Sequence, residues 1–139
     1  MNILLYASNR GSSRHERAKR FVEGRATDPD LLCLAFPTVM SYLRMATHPR
    51  IFATPLSPAE AMANVAALLG LPRVRVLAEA EGFLDVYREV TAGAPVRGNA
   101  VPDAHLASLL RQHGVRTLYT VDRDFLRFPF LDVHDPLEP

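Results

Sequence analysis

Ile3-Leu4-Leu5-Tyr6-Ala7 is an apolar run without helical spacing, closed by the turn-forming Ser8-Asn9-Arg10-Gly11-Ser12-Ser13, and it predicts a buried first strand. Ser12 or Ser13 then caps a helix in which Ala18, Phe21 and Val22 recur at spacings of three and four, while Arg14, Arg17, Lys19 and Arg20 face water; Gly24 stops it. After the turn Thr27-Asp28-Pro29-Asp30 comes a second apolar run, Leu31 to Phe36. A helical pattern through Val39, Met40, Leu43 and Met45 follows and ends at His48-Pro49. Ser57 and Pro58 open a helix over 59–69 that Gly70 and Pro72 end. Val74-Arg75-Val76-Leu77 alternates as a strand does. The stretch 79–91 has helical spacing, with Phe83, Leu84 and Tyr87 expected inward, and Ala92-Gly93-Ala94-Pro95 is a loop. Residues 102–113 form another helix ending at Gly114, 117–121 are rich in strand formers, and the proline-rich tail holds one last edge strand. Strands alternating with helices predict an α/β domain with a mainly parallel sheet, because parallel neighbours need a helical crossover. Ligands in such sheets collect beyond the strands' carboxyl ends, and that is where chemistry is to be sought.

Composition narrows the class. The 139 residues, without internal repeat or linker, read as one domain long enough to bury a core without staples. The single cysteine, Cys33, lies in an apolar run and reads as a buried thiol; no intrachain disulfide is possible, which fits a reducing cytoplasm. No apolar stretch approaches the roughly 20 residues of a membrane helix, and no secretory signal is recognisable. Net charge is only +1, yet residues 1–50 hold eight basic and four acidic groups, whereas 101–139 hold four basic and six acidic. The first half therefore suits an anionic partner and the last third a cation. All but one of the 16 basic residues are arginine, whose planar fork suits phosphate, although base composition of the genome explains this equally well.

The acidic excess has a pattern. Asp122 and Asp124 directly follow the strand that ends at Val121, and Asp103 lies in the first turn of the helix after Pro102. Singly, each has a bland role: an Asx turn for the pair, compensation of the helix dipole for Asp103. Together, if helix start and strand end are neighbours, the carboxylates repel unless a cation lies between them, and an all-oxygen donor set suits Mg²⁺ or Mn²⁺. Dinucleotide and phosphate-loop motifs, a serine nucleophile elbow and a cysteine pair are all missing, and the five histidines are scattered.

Arg97-Gly98-Asn99-Ala100-Val101-Pro102-Asp103-Ala104-His105-Leu106-Ala107, followed by Thr120-Val121-Asp122-Arg123-Asp124-Phe125, closely resembles the PIN-domain ribonuclease toxins of VapBC toxin–antitoxin pairs. Asn2 to Ala7 resembles that family's first strand, and Leu43 to Arg50 its arginine helix and following turn, so the likeness covers nearly the whole chain. The resemblance implies a PIN-like α/β domain with a mainly parallel central sheet of about four to five strands flanked by helices. It implies a Mg²⁺- or Mn²⁺-dependent cytoplasmic endoribonuclease that forms a homodimer and is held inactive by a cognate antitoxin. Carried over by motif, Asp103, Asp122 and Asp124 are the catalytic, metal-binding acids, and Asn2, Ser41 and Thr120 support them. Arg14, Arg44 and Arg97 are candidate contacts to RNA phosphates.

Two positions depart from the family pattern. The family carries an aspartate two residues before the asparagine matched by Asn2, a place that falls just ahead of Met1, and its usual glutamate before the helix arginine is matched by Ser41. One account makes Met1 an internal methionine of an Asp-Met-Asn strand, which the codons upstream test. Otherwise weak metal affinity and little cleavage are expected, and a competing reading follows: a catalytically impaired PIN-like protein that only binds RNA or antitoxin. A third reading, a flavodoxin-like domain binding a small anion, lacks a glycine-rich phosphate loop. For the partner, the helices at 39–45 and 59–69 carry more alanine, leucine and methionine than one buried face needs, which suits an antitoxin helix or a second copy.

Overall fold

The computed structural model describes residues 2–139. Its elements run α1 (Asn2–Ser8), α2 (His15–Gly24), β1 (Leu32–Ala35), α3 (Phe36–Ala46), α4 (Pro58–Leu69), β2 (Val74–Leu77) and α5 (Phe83–Val90), then α6 (Val101–Gln112), β3 (Thr117–Tyr119) and β4 (Asp132–His134). Short 3-10 helices span Gly98–Ala100 and Arg123–Arg127.

The alternation of strand and helix holds, and so does parallel pairing. β1 pairs with β2, placing Leu32 opposite Val74 and Ala35 opposite Leu77, and β3 pairs with β4, placing Thr117 opposite Asp132. The four strands among the described residues form two separate two-stranded sheets rather than one. Between them runs a groove of about 350 Å³ lined by the consecutive residues 31–35 of one sheet and 115–119 of the other. Successive side chains of a strand point to opposite faces, so a lining of unbroken succession means that strand edges, not faces, border this groove.

The first predicted strand is instead helix α1, a correction to the reading of Asn2 to Ala7. An unbroken apolar run has neither period, and its conformation is decided by what surrounds it. Here both sides of a helix find apolar partners: Ile3 is buried beside Ala18 and Leu137, and Leu5 beside Leu34, Val39 and Tyr42. Ser8 Oγ donates back to the Leu4 carbonyl at 3.0 Å, as a helical serine does.

The other helices follow their signals closely. Ser57 caps α4 through a complete capping box: the Glu60 amide donates to Ser57 Oγ at 3.1 Å and the Ser57 amide to Glu60 Oε1 at 3.3 Å. Ser57→Ala is expected to cost about 1 kcal/mol and lower the melting temperature by roughly 3–5 °C; thermal unfolding by circular dichroism measures this. Helix α5 begins at Phe83 rather than Glu79 because Gly82 at φ +80° takes a left-handed conformation that the helix cannot include. Leu84, expected inward, is 73% exposed, since the shorter helix turns Phe83 and Tyr87 to the core and leaves Leu84 outside.

Three apolar clusters hold these elements. One joins α1, β1, α3, α4 and β2; a second packs Ala104, Ala107 and Leu110 of α6 on Phe125, Phe128 and Leu131; the third joins α1, α2 and Leu137. Cys33 is half-buried, and desolvation raises its thiol pKa against the pull of Arg75, so the thiol stays neutral.

Candidate active site

Asp103 stands in the first turn of α6, behind Pro102, whose fixed φ and missing amide suit a helix start. The Asp122 side chain caps the 3-10 helix by accepting from the Asp124 amide at 2.9 Å, which turns the chain sharply after β3 and throws both carboxyls outward. Packing of α6 on this turn through Ala104, Ala107, Phe125 and Phe128 brings the two segments together. One carboxylate oxygen from each of Asp103, Asp122 and Asp124 then lies within 4.8 Å of the others, with Asp103 and Asp122 half-buried and Asp124 exposed.

The charge accumulated there has an effect. Burial, followed by the nearby charges of Asp122 and Asp124, raises the Asp103 carboxyl above the ordinary aspartate range, and Arg127 opposes this. Beneath the acids lies a polar support. Thr120, only 7% exposed, accepts at Oγ1 from the Asp122 amide at 3.0 Å and from Asn2 Nδ2 at 3.2 Å, while its own amide donates to the His134 carbonyl at 2.9 Å. Asn2 Oδ1 is buried without a partner.

The loop after β2 is tied to α6 along its length. Glu79 bonds His105, Gln112 Oε1 accepts from the Ala80 amide at 2.9 Å, Gln112 Nε2 donates to the Ala80 carbonyl at 3.1 Å, and His113 Nε2 meets the Ala78 carbonyl at 2.7 Å. Two of the scattered histidines thus serve to set where α6, and with it Asp103, sits.

Of the residues singled out in the sequence, Asp103, Asp122 and Asp124 converge, and Thr120 and Asn2 stand directly beneath them. Ser41 lies half-buried on α3. Arg14, Arg44 and Arg97 are exposed, Arg14 over the Tyr6 ring at 5.4 Å and Arg97 in extended backbone leading into the Gly98–Ala100 turn ahead of α6. Arg17 is occupied structurally, donating to the Leu137 carbonyl at 3.1 Å. Arg127 was not among the expected site residues; its place three residues after Asp124 was the available signal.

The fold is thus an α/β domain with parallel strands, in which the segment after β3 (Asp122, Asp124) and the start of α6 (Asp103) bring three carboxylates together as an all-oxygen donor set. The chain is 41% identical over 136 residues to Ribonuclease VapC48 of Mycobacterium tuberculosis, an alignment covering 98% of this chain and 94% of the relative. It is 30% identical over 138 residues to Ribonuclease VapC43 of the same species, covering 99% and 93%. Among solved structures it resembles VapBC2 of Rickettsia felis bound to a DNA fragment from their promoter, with TM-score 0.66, 17% identity and coverage of 96% and 92%. It also resembles M. tuberculosis VapC20, a sarcin–ricin loop cleaving toxin, with TM-score 0.63, 22% identity and coverage of 89% and 88%. No protein-family model matches. The chain belongs to the VapC ribonuclease family.

Proposed function

We propose that the protein is the toxin of a type II toxin–antitoxin pair, an endoribonuclease that hydrolyses RNA phosphodiester bonds with Mg²⁺ or Mn²⁺ at Asp103, Asp122 and Asp124. The observation that carries this is the convergence of these three carboxylates in a chain of the VapC ribonuclease family. The donor set fits a hard divalent cation: the candidate ligands are all oxygens, and Asp103, raised first by burial and then by the charges of Asp122 and Asp124, has neighbouring negative charge that a cation would offset. The unpartnered Asn2 Oδ1 adds an oxygen with spare acceptor capacity beside Thr120.

Asp103, Asp122 and Asp124 would hold a divalent cation, which would supply charge compensation for a scissile phosphate and lower the pKa of a bound water. The chain's own residues do the rest. Asp122 has one oxygen engaged with the Asp124 amide, so that its orientation is fixed before any ligand arrives. Asp124, exposed, would offer a third carboxylate oxygen to a bound cation at the open side of the site. Thr120 accepts from the Asp122 amide and is itself held by Asn2, so the two fix the Asp122 backbone.

Arg14, Arg44 and Arg97 guide the RNA by phosphate contact. Three such contacts correspond to a salt slope of about −2, so RNA affinity is expected to fall roughly twentyfold between about 50 and 200 mM salt. Fluorescence anisotropy of a labelled RNA measures it, and an affinity unchanged over that range removes these arginines from the interface.

The antitoxin is proposed to lie in a groove of about 1110 Å³ that runs between α1 and α2 on one side and α3 and α4 on the other, past Leu4, Val22, Val39, Tyr42 and Leu68. Its apolar walls suit an amphipathic helix. Exposed Phe36 and Met40, one turn apart on α3, are apolar positions that a homodimer interface could cover. Among the described residues no helix is long and apolar enough to cross a membrane.

The test is cleavage of a mixed cellular RNA pool across Mn²⁺ and Mg²⁺ titrations. Ion-dependent cutting upholds the nuclease reading. RNA or antitoxin binding without cutting at any ion concentration puts the impaired binding protein in its place; the names of the relatives favour the nuclease.

A further inference from the structure

The 3-10 helix after β3 carries a cation, Arg127, in its last turn. In a 3-10 helix residues three apart eclipse one another. Phe125 and Phe128, 6% and 4% exposed with ring centroids 6.2 Å apart, form the inward face of Arg123–Arg127. Asp124 and Arg127, each one residue earlier, therefore share a neighbouring face, and Asp124 on that face belongs to the carboxylate cluster. The third face holds Arg123 and Leu126, both exposed.

Arg127 is exposed, and it forms no ion pair or side-chain hydrogen bond with any described residue, unlike Arg25 with Asp28 at 3.0 Å or Arg88 with Asp85 at 3.7 Å. It shares with Asp124 the face of the turn that belongs to the carboxylate cluster, yet it pairs with none of the three acids. A guanidinium near an anionic cluster yet not joined to it keeps its donor fork free. An anion bridging the cluster and the fork would find oxygen-binding partners on both sides, and a nucleic-acid phosphate has the two non-bridging oxygens that this requires.

We propose that Arg127 is a substrate-contacting residue of this site, gripping an RNA phosphate as it is presented to Asp103, Asp122 and Asp124. This rests on the nuclease reading above. Arg127 would thus act on RNA and metal in opposite senses: it attracts the phosphate and repels the cation.

The experiment compares Arg127→Gln, Arg127→Lys and Arg123→Gln with the unaltered chain, using thermal unfolding to check the fold, electron paramagnetic resonance for Mn²⁺ binding without RNA, and anisotropy with a labelled RNA in Ca²⁺. Arg127→Gln is expected to weaken RNA binding roughly tenfold and reduce its salt slope by about 0.7, while Mn²⁺ binds as tightly as before or more so. Arg127→Lys, a point charge without the fork, falls between. Arg123→Gln loses the same charge on the other face and leaves the RNA slope unchanged. Arg127→Gln with unaltered RNA affinity and slope overturns the assignment, as does an equal loss in Arg123→Gln. Loss of Mn²⁺ binding in folded Arg127→Gln overturns it too, because the residue then supports the acids structurally. Failure of the unaltered chain to bind Mn²⁺ defeats the carboxylate reading instead, and the RNA-binding comparison still decides Arg127.

Discussion

Asp103→Asn is expected to reduce ion-dependent RNA cleavage by roughly a thousandfold, because removing one of three charged ligands forfeits several kcal/mol of charge stabilisation at about 1.4 kcal/mol per decade. The same substitution should make the metal-free protein more stable at neutral pH. Asp103 ionises in a half-buried site beside Asp122 and Asp124, so its folded pKa lies above its unfolded value. Such a group favours the folded state while protonated, and that contribution is lost as the pH rises through the folded pKa. Between the ordinary aspartate value and the raised one, stability of the metal-free chain should therefore decline with rising pH, a decline that Asp103→Asn removes. Ion binding needs the carboxylate ionised and should fade on acidification at a higher pH than an ordinary aspartate would dictate. Melting curves across pH, with and without Mn²⁺, check both statements. A variant that melts lower without metal, or is still stabilised by Mn²⁺ as much as the unaltered chain, would show that Asp103 serves the fold rather than the ion.

The parts of this site that could be read in the sequence are those governed by local chemistry. Pro102 before Asp103, and Asp122 and Asp124 after a run of strand formers, state their backbone positions outright, and the capping box at Ser57 does the same for α4. Convergence of the acids depends on packing of α6 against Phe125 and Phe128, a long-range matter which the family resemblance supplied and local pattern did not. Where local chemistry was silent, the reading failed. The run from Asn2 to Ala7 carries no period, and burial of Ile3 and Leu5 on opposite sides made it a helix. Leu84 was placed inward by a helix assumed to start at Glu79, before the left-handed Gly82 shortened it. The alignment of Arg127 with Asp124 comes from the three-residue eclipse of a 3-10 turn, which the sequence pattern does not announce.

Grafting an extended apolar segment ahead of Met1, with an aspartate two residues before Asn2, is expected to raise Mn²⁺ affinity at least tenfold and RNA cleavage further. The place for such a segment is visible. The edges of β1 and β3 border one groove of about 350 Å³, and their unpaired amides and carbonyls can both pair with a strand laid between them. Asn2 begins α1 and is tied to Thr120, the residue directly after β3 and two before Asp122, so a strand running parallel to β1 and β3 would end beside the acids. Its closing aspartate would bring a fourth carboxylate to the cluster, in agreement with the position of the family aspartate. Two effects are then mixed, fusion of the sheets and addition of a ligand, and the same extension with asparagine in place of the aspartate separates them. Both extended chains should melt higher than the original, because the sheet edges are paired in each. Only the aspartate form should bind Mn²⁺ more tightly and cut RNA faster. Equal Mn²⁺ affinity in the two extended chains would mean that Asp103, Asp122 and Asp124 suffice to hold the ion.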